Sequence, residues 1–151
     1  SRLFQTVRED MGAAYYIRAG NESFTDHGVF EISAGVQHGK LPEVIKAIMR
    51  EAKKMKESTV PIGELNRVKD FLVGNMYLGL EKSDEIANFY AGQEIMKKPL
   101  LSPRAMEKKI REVSSRDILR VAKKIFLPGR LNLALIGPFK EKASFEQLLD
   151  L

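Results

Sequence analysis

A chain of 151 residues can bury one hydrophobic core and is too short for two domains of ordinary size, so we expect one compact unit. Its 44% hydrophobic and 30% charged residues are typical of globular proteins, and no stretch approaches the roughly 20 apolar residues of a membrane span. The absence of cysteine excludes a disulfide framework and a thiolate metal site. The first residues lack the apolar core of a signal peptide, but a chain that begins inside an element says little about targeting. The compartment is therefore left open, with the cytoplasm favoured.

The first predicted elements are a helix and two strands. A charged amphipathic run ends at Gly12 and is followed by a β-prone stretch, Tyr15–Ala19. Residues 21–28 predict a polar connection longer than a tight hairpin, and residues 29–36 predict a second strand. We expect the two strands to pair antiparallel.

Helical periodicity dominates the rest of the chain. The predicted helices are Pro42–Glu57, Pro61 to about Glu81, Ser83–Lys97 with Ser83 as N-cap, Pro103 to about Val113 with Ser102 as N-cap, and a fifth that follows Ser114 and ends at Phe126. In the second of these, Gly74 and Gly79 suggest close packing against a neighbour. Leu131–Ile136 predicts a short apolar strand, and Ser144–Leu149 predicts a terminal helix.

This order of elements predicts an α+β fold in which helices pack on an antiparallel or mixed sheet. Three readable strands make a thin sheet for so many apolar helix faces. We therefore expect that part of this core lies outside the chain. Uncovered apolar faces and unpaired strand edges would then favour self-association.

The net charge of +5 raises the question of an acidic partner. The basic pairs are, however, dispersed among carboxylates, and no aromatic residues alternate with them as base-stacking platforms would. These pairs are Lys53-Lys54, Lys97-Lys98, Lys108-Lys109 and Lys123-Lys124. They predict solvated helix faces, so neither nucleic acid nor a membrane is an expected partner.

Two histidines make zinc the first cofactor to test. His27 lies four residues before Glu31, and His38 follows, but neither H-E-x-x-H nor H-x-x-E-H occurs. We expect both histidines at the surface, at the ends of the second strand, and no metal or other cofactor in this chain. No G-x-S-x-G and no glycine-rich phosphate loop is present either.

Arg8 and Tyr15 are the remaining candidates for chemistry. A guanidinium presents a planar fork of donors, and a phenol hydroxyl can donate to a developing oxyanion. Seven residues apart across a helix-to-strand turn, both could project into one cleft. The alternative is an exposed helical Arg and a Tyr packed on the sheet surface.

Several segments resemble one family. SRLFQTVREDMGAAYYI at 1–17 is similar to S-R-L-F-x-x-V-R-E-x-x-G-x-x-Y-x-I of the M16 zinc metallopeptidases, the group of pitrilysin, insulinase and mitochondrial processing peptidase. The resemblance continues through GVFEISAGV at 28–36, ELNRVKDFLVGNMYLGLE at 64–81, SSRDILRVAKKIF at 114–126 and LNLALIGP at 131–138. It covers nearly the whole chain in order.

The resemblance implies that residues 1–151 are a single partial domain, a C-terminal M16-like (LuxS/MPP-like metallohydrolase) half-domain lacking its first strand and helix. It also implies a hydrolase that cleaves peptides together with an N-terminal half, whose H-x-x-E-H motif holds the zinc. Arg8 and Tyr15 would contact the substrate backbone and stabilise the transition state, with Gly12 in the turn between them. The isolated chain would be inactive. The rival interpretation is a non-catalytic M16-like subunit of the core-protein type, which serves assembly.

Overall fold

The computed structural model describes residues 1–139 and 143–150. The chain divides into two compact units, one formed by residues 1–22, 29–58 and 119–151 and the other by residues 23–28 and 59–118. The helices and strands belong to an α+β fold, as the sequence predicts, and the sheet of the described residues is antiparallel with two strands.

The first unit begins with a π-helix, Phe4–Asp10. Its wide turns show in the bond from the Met11 amide to the Thr6 carbonyl, 3.1 Å across five residues. Gly12 then adopts a φ of +55°, a left-handed conformation that glycine takes without a Cβ clash. The predicted helix is thus present, and Gly12 turns the chain into the first strand.

The two strands are β1 (Ala14–Ser23) and β2 (Gly28–Val36). Their connection, Phe24–His27, is closed by a bond from the Phe24 amide to the His27 carbonyl of 2.9 Å. The antiparallel pairing is confirmed. The predicted long connection is wrong, because β1 continues through the polar residues that composition had assigned to the loop.

Helix α1 (Leu41–Glu57) packs on one face of this hairpin, with Pro42 in its first turn as predicted. The centre of the cluster is buried and apolar, and its members are Val7, Ala13, Ile17, Val44 and Ala47. Alternate residues of β2 contact it, namely Ile32, Ala34 and Val36. The π-helix and α1 therefore cover the same face of the sheet.

The predicted strand Leu131–Ile136 is not present. A 3₁₀ turn, Pro128–Arg130, leads into this segment, but no ladder forms there, and the sheet contains β1 and β2 only within residues 1–139 and 143–150. Its apolar composition favours an extended backbone, yet a strand also needs a hydrogen-bonding partner. Ile136 is fully exposed as a result. The terminal helix, α6 (Ala143–Glu146), is shorter than predicted.

Four helices account for most of the remaining chain. They are α2 (Ile62–Leu78), α3 (Ser83–Ile95), α4 (Pro103–Glu112) and α5 (Ser115–Ile125). None of the helices within the described ranges is long and apolar enough to span a bilayer.

Helix starts were predicted with unequal success. The Ser102 hydroxyl accepts a bond from the Ala105 amide at 3.2 Å, so this predicted N-cap is confirmed. Before the fifth predicted helix, the Ser114 hydroxyl accepts from the Asp117 amide at 3.2 Å, and the Asp117 carboxylate accepts from the Ser114 amide at 3.0 Å. Ser83 was wrong as an N-cap. It is the first helical residue of α3, and the residue before it, Lys82, makes no side-chain cap.

Polar side chains join α2 to α4 in the second unit. Tyr77 donates to Glu107 at 2.9 Å, and Arg111 donates to both Glu107 and Asp70 at 2.9 Å. The bonds from Arg111 and Tyr77 hold the pKa of the Glu107 carboxyl below its usual value, and the bond to Glu107 raises the pKa of Tyr77. Lys69 adds a 2.6 Å bond to the Arg111 carbonyl.

Much of the apolar surface of α2 is uncovered by the described residues. Only Leu65 and Val73 are buried on this helix, whereas its exposed apolar side chains are Ile62, Val68, Phe71, Leu72, Tyr77 and Leu78. Gly74 has no heavy atom within 4 Å of an added Cβ, so close packing at this position is not observed among the described residues. Gly79 instead follows the last helical residue as the C-cap.

Candidate functional site

Arg8 lies on the last turn of the π-helix, and its side chain is exposed. Its guanidinium carbon lies 5.0 Å from the centroid of the Phe4 ring, one turn earlier, an arrangement that attracts a cation to the ring face. The neighbouring Val7 is fully buried in the core of the unit. The packed helix thus fixes the backbone of Arg8 while its charged end stays in solvent.

Tyr15 is the second residue of β1, and 72% of its surface is accessible. Within the described ranges its hydroxyl has no hydrogen-bonding partner. Tyr15 is two residues before Ile17, so by strand alternation it lies on the face of the sheet that carries the core, although its own side chain is exposed. Its hydroxyl is therefore available as a donor.

Tyr16 has a different environment on the opposite face of the hairpin. Its ring lies so close to Gly35 that a Cβ added there would be 2.5 Å from Tyr16 Cε1. The Arg18 guanidinium lies 5.4 Å from the centroid of the same ring. The Tyr16 ring thus packs on Gly35 although 46% of the residue is exposed, and the structure separates the two adjacent tyrosines by face and by contacts.

The structure places Arg8 and Tyr15 in the same unit, one on the helix and the other on the strand that the helix packs against. The Ala13 amide joins the two elements by a 3.1 Å bond to the Val7 carbonyl. No hydrogen bond or ring contact joins the two side chains within residues 1–139 and 143–150. A guanidinium and a phenol hydroxyl are thereby presented without hydrogen-bonding partners among the described residues, which suits recognition of carbonyl groups.

Sequence reasoning did not identify two supporting residues, Phe4 and Gly35. The spacing of Phe4 and Arg8, four residues apart on a helix, was a usable signal for the cation–ring contact. Gly35 offered no such signal, because its contact with Tyr16 depends on the register of the two strands.

The histidines do not fit a zinc site. His27 stacks on Phe24 with ring centroids 4.4 Å apart, and its Nδ1 lies 2.6 Å from the Asp26 carboxylate. His38 lies beyond the other end of β2 and stacks on Phe139 at 4.7 Å. In the part of the chain that the structure describes, no group of three or more potential ligands could hold a metal ion. Both histidines are exposed at the strand ends, as the sequence predicts.

Comparison with known proteins supports the resemblance. The family described as "Peptidase M16 inactive domain" matches residues 1–72. An uncharacterized zinc protease of Rickettsia felis is 35% identical over 142 residues, which are 91% of this chain and 33% of that protein. An uncharacterized zinc protease of Streptomyces coelicolor is 32% identical over 142 residues, 94% of this chain and 31% of that protein. The chain therefore spans about a third of the length of these curated relatives.

Solved structures agree on the fold. A conserved protein from Enterococcus faecalis matches 82% of this chain and 29% of its own, with a TM-score of 0.70 and 24% identity. A chain in the complex III2 structure from Candida albicans has the same TM-score and coverage at 18% identity. A protease from Helicobacter pylori matches 84% of this chain and 30% of its own, with a TM-score of 0.68 and 20% identity.

The family match begins at Ser1 and includes the π-helix, Gly12 and both strands, and therefore contains the whole candidate site. The matched domain is described as inactive, and this chain contains no H-x-x-E-H motif. Together, the family match over residues 1–72 and the curated relatives support an M16 family C-terminal domain, the half that does not bind the zinc.

Proposed function

We propose that this chain is the substrate-binding half of an M16-type zinc metallopeptidase, a hydrolase of the insulinase and processing-peptidase type. It acts on a peptide together with a half that carries H-x-x-E-H. The observation that carries the proposal is the exposed hydroxyl of Tyr15, which has no partner among the described residues and belongs to the same unit as the exposed Arg8. The curated relatives named as zinc proteases support it.

Each side chain has a distinct part in this proposal. The Tyr15 hydroxyl donates a hydrogen bond to the oxygen of the scissile carbonyl as negative charge develops on it, which stabilises the transition state more than the ground state. The Arg8 guanidinium grips backbone carbonyls of the bound peptide, so it contributes to both states. Phe4 restricts the positions that the Arg8 side chain adopts before the peptide binds.

Zinc belongs to the other half in this proposal, because His27 and His38 are engaged with neighbouring rings at opposite ends of β2. No chemical step is therefore assigned to metal ligands of this chain. Binding, orientation and hydrogen-bond donation are what its own residues supply.

Reconstitution tests the proposal. The purified chain alone should neither retain zinc after dialysis nor cleave a quenched fluorescent peptide, and cleavage should appear when it is co-expressed with an H-x-x-E-H-bearing half. Cleavage should then be lost on chelation. Stoichiometric zinc and chelator-sensitive cleavage by the chain alone would contradict the proposal.

A non-catalytic subunit that serves assembly is the second candidate. The similarity to a chain in a complex III2 structure favours it, and its TM-score of 0.70 is no lower than the 0.68 of the Helicobacter protease. The gene sequence upstream of Ser1 discriminates between the two, because the peptidase requires H-x-x-E-H in the protein or in a partner subunit. Its absence from both would favour the assembly role.

We also propose that the uncovered side of α2 makes the isolated chain self-associate, since Phe71 and Leu78 are each 68% exposed. Light scattering should detect oligomers, and Phe71→Ser with Leu78→Ser should reduce them. The matched control is Val29→Ser with Ile136→Ser, which changes two exposed apolar residues outside α2 and should not reduce the oligomers. A stable monomer that binds no hydrophobic dye would contradict this proposal.

A further inference from the structure

A basic groove lies on the surface of the first unit, between α1 and the residues that follow α6. It encloses about 290 Å³. Three cations of α1 line it, namely Lys46, Arg50 and Lys53. Met49, Leu148 and Asp150 are also among the lining residues. The groove contains neither Arg8 nor Tyr15, so it is a separate feature from the candidate site.

The three cations have no carboxylate partner among the described residues. Lys54 pairs with Glu51 at 2.7 Å, and Arg111 pairs with Asp70 at 2.9 Å. Lys46, Arg50 and Lys53 are exposed and make no ion pair within the described ranges. Their charges therefore add up along one wall of the groove.

Helix geometry fixes the spacing of these charges. The three residues follow one another at intervals of four and three, so they share a face of α1, with neighbouring Cβ atoms about 5–6 Å apart. In an extended peptide, side chains on the same side repeat every two residues, about 6.6–6.8 Å. Carboxylates at alternate positions of an extended segment would thus match the cations, and a row about 10 Å long accommodates two or three of them.

The remaining lining favours a peptide over other anions. Among the described residues no aromatic side chain lines the groove, which therefore offers no platform there for stacking bases. Met49 and Leu148 line it and are half-buried, so they do not project as membrane anchors would. They can instead contact the aliphatic parts of a peptide.

We propose that this groove binds an extended acidic segment of a protein partner, with carboxylates at alternate positions facing Lys46, Arg50 and Lys53. The Arg50 guanidinium can form a bidentate pair of hydrogen bonds with one carboxylate, and the lysines on either side supply point charges. Asp150 opposes an acidic ligand and limits its affinity.

Fluorescence anisotropy with a labelled Glu-Ser-Glu-Ser-Glu-Ser peptide tests the proposal on the 151-residue protein. Lys46→Gln with Lys53→Gln should weaken binding on the order of tenfold, the scale for two exposed ion pairs. Lys123→Gln with Lys124→Gln removes the same charge from α5 and should change binding less than twofold. Asp150→Asn should tighten binding, and added salt should weaken it.

Three results would overturn the proposal. Equal weakening by the two double variants would show a nonspecific effect of net charge. Tighter binding of a single-stranded oligonucleotide or of anionic vesicles with matched charge would identify another class of partner. If Lys46→Gln with Lys53→Gln keeps the parental peptide affinity and thermal midpoint, the groove does not bind the peptide.

Discussion

The two units of the protein are stabilised by different interactions. The first has a continuous apolar cluster in which Val7 and Val44 are at most 1% exposed. In the second, Leu65 and Val73 are the buried apolar residues among those described, and polar contacts between α2 and α4 are prominent. Similar helical patterns therefore lead to different energetics, because periodicity specifies a helix but not what covers its apolar face.

The largest effect should come from the cluster of the first unit. Val44→Ala removes two buried methyl groups and should lower the free energy of unfolding by about 2 kcal/mol. Val68→Ala is the matched control on α2, where the valine is 48% exposed, and should change it by less than about 0.5 kcal/mol. Urea denaturation measures the free energy of unfolding of both variants. Equal losses would mean that Val68 is as well packed as Val44.

A smaller effect should come from the helix ends of the second unit. Ser102→Ala deletes the side-chain acceptor of the Ala105 amide and should cost about 1 kcal/mol. Ser83→Ala serves as the control, because Ser83 lies inside α3 and is not its N-cap. Thermal unfolding of both variants should show the larger decrease for Ser102→Ala. The reverse order would contradict the assigned start of α3.

The smallest effect should be a pH dependence confined to the contacts between α2 and α4. Arg111 and Tyr77 lower the pKa of Glu107 from its usual 4.5, so the carboxylate stabilises the folded state above that pH. This contribution is lost as the pH falls through the lowered folded-state value. Glu107→Gln should therefore be less stable than the parent at pH 7 and equal to it in strong acid.

Denaturant midpoints at both pH values provide the measurement. Glu112→Gln is a suitable control, since Glu112 is exposed and its Oε1 lies 3.9 Å from the Nζ of Lys108 on the same helix. If the denaturant midpoint of Glu107→Gln stays below that of the parent in strong acid, the glutamate stabilises the protein through packing and not through its charge.

The sequence correctly predicted those helices, strands and turns that depend on local chemistry. Period, turn residues and hydroxyl caps located α1, the hairpin and the start of α4 within a few residues. The sequence-based prediction failed where a strand needs a hydrogen-bonding partner or an apolar face needs a packing partner. Leu131–Ile136 has strand composition without a ladder, and Val68 has a core pattern without cover among the described residues.

The candidate site shows the same division. Residue types and spacing selected Arg8 and Tyr15, and the family resemblance supplied their roles. Sequence alone did not reveal the ring of Phe4 beneath Arg8 or the contact of Tyr16 with Gly35. These contacts depend on side-chain direction and strand register, which one sequence leaves open.

The central claim is that Tyr15 donates to the reacting carbonyl whereas Tyr16 only packs. The most direct test is kcat for Tyr15→Phe and Tyr16→Phe, each assayed with the H-x-x-E-H-bearing half and each checked for an unchanged thermal midpoint. Tyr15→Phe should lower kcat on the order of 10²-fold, the scale for one lost oxyanion donor, with zinc content unchanged. Tyr16→Phe keeps its ring on Gly35 and should retain parental kcat. Parental kcat in both folded variants would contradict the account and favour the assembly subunit.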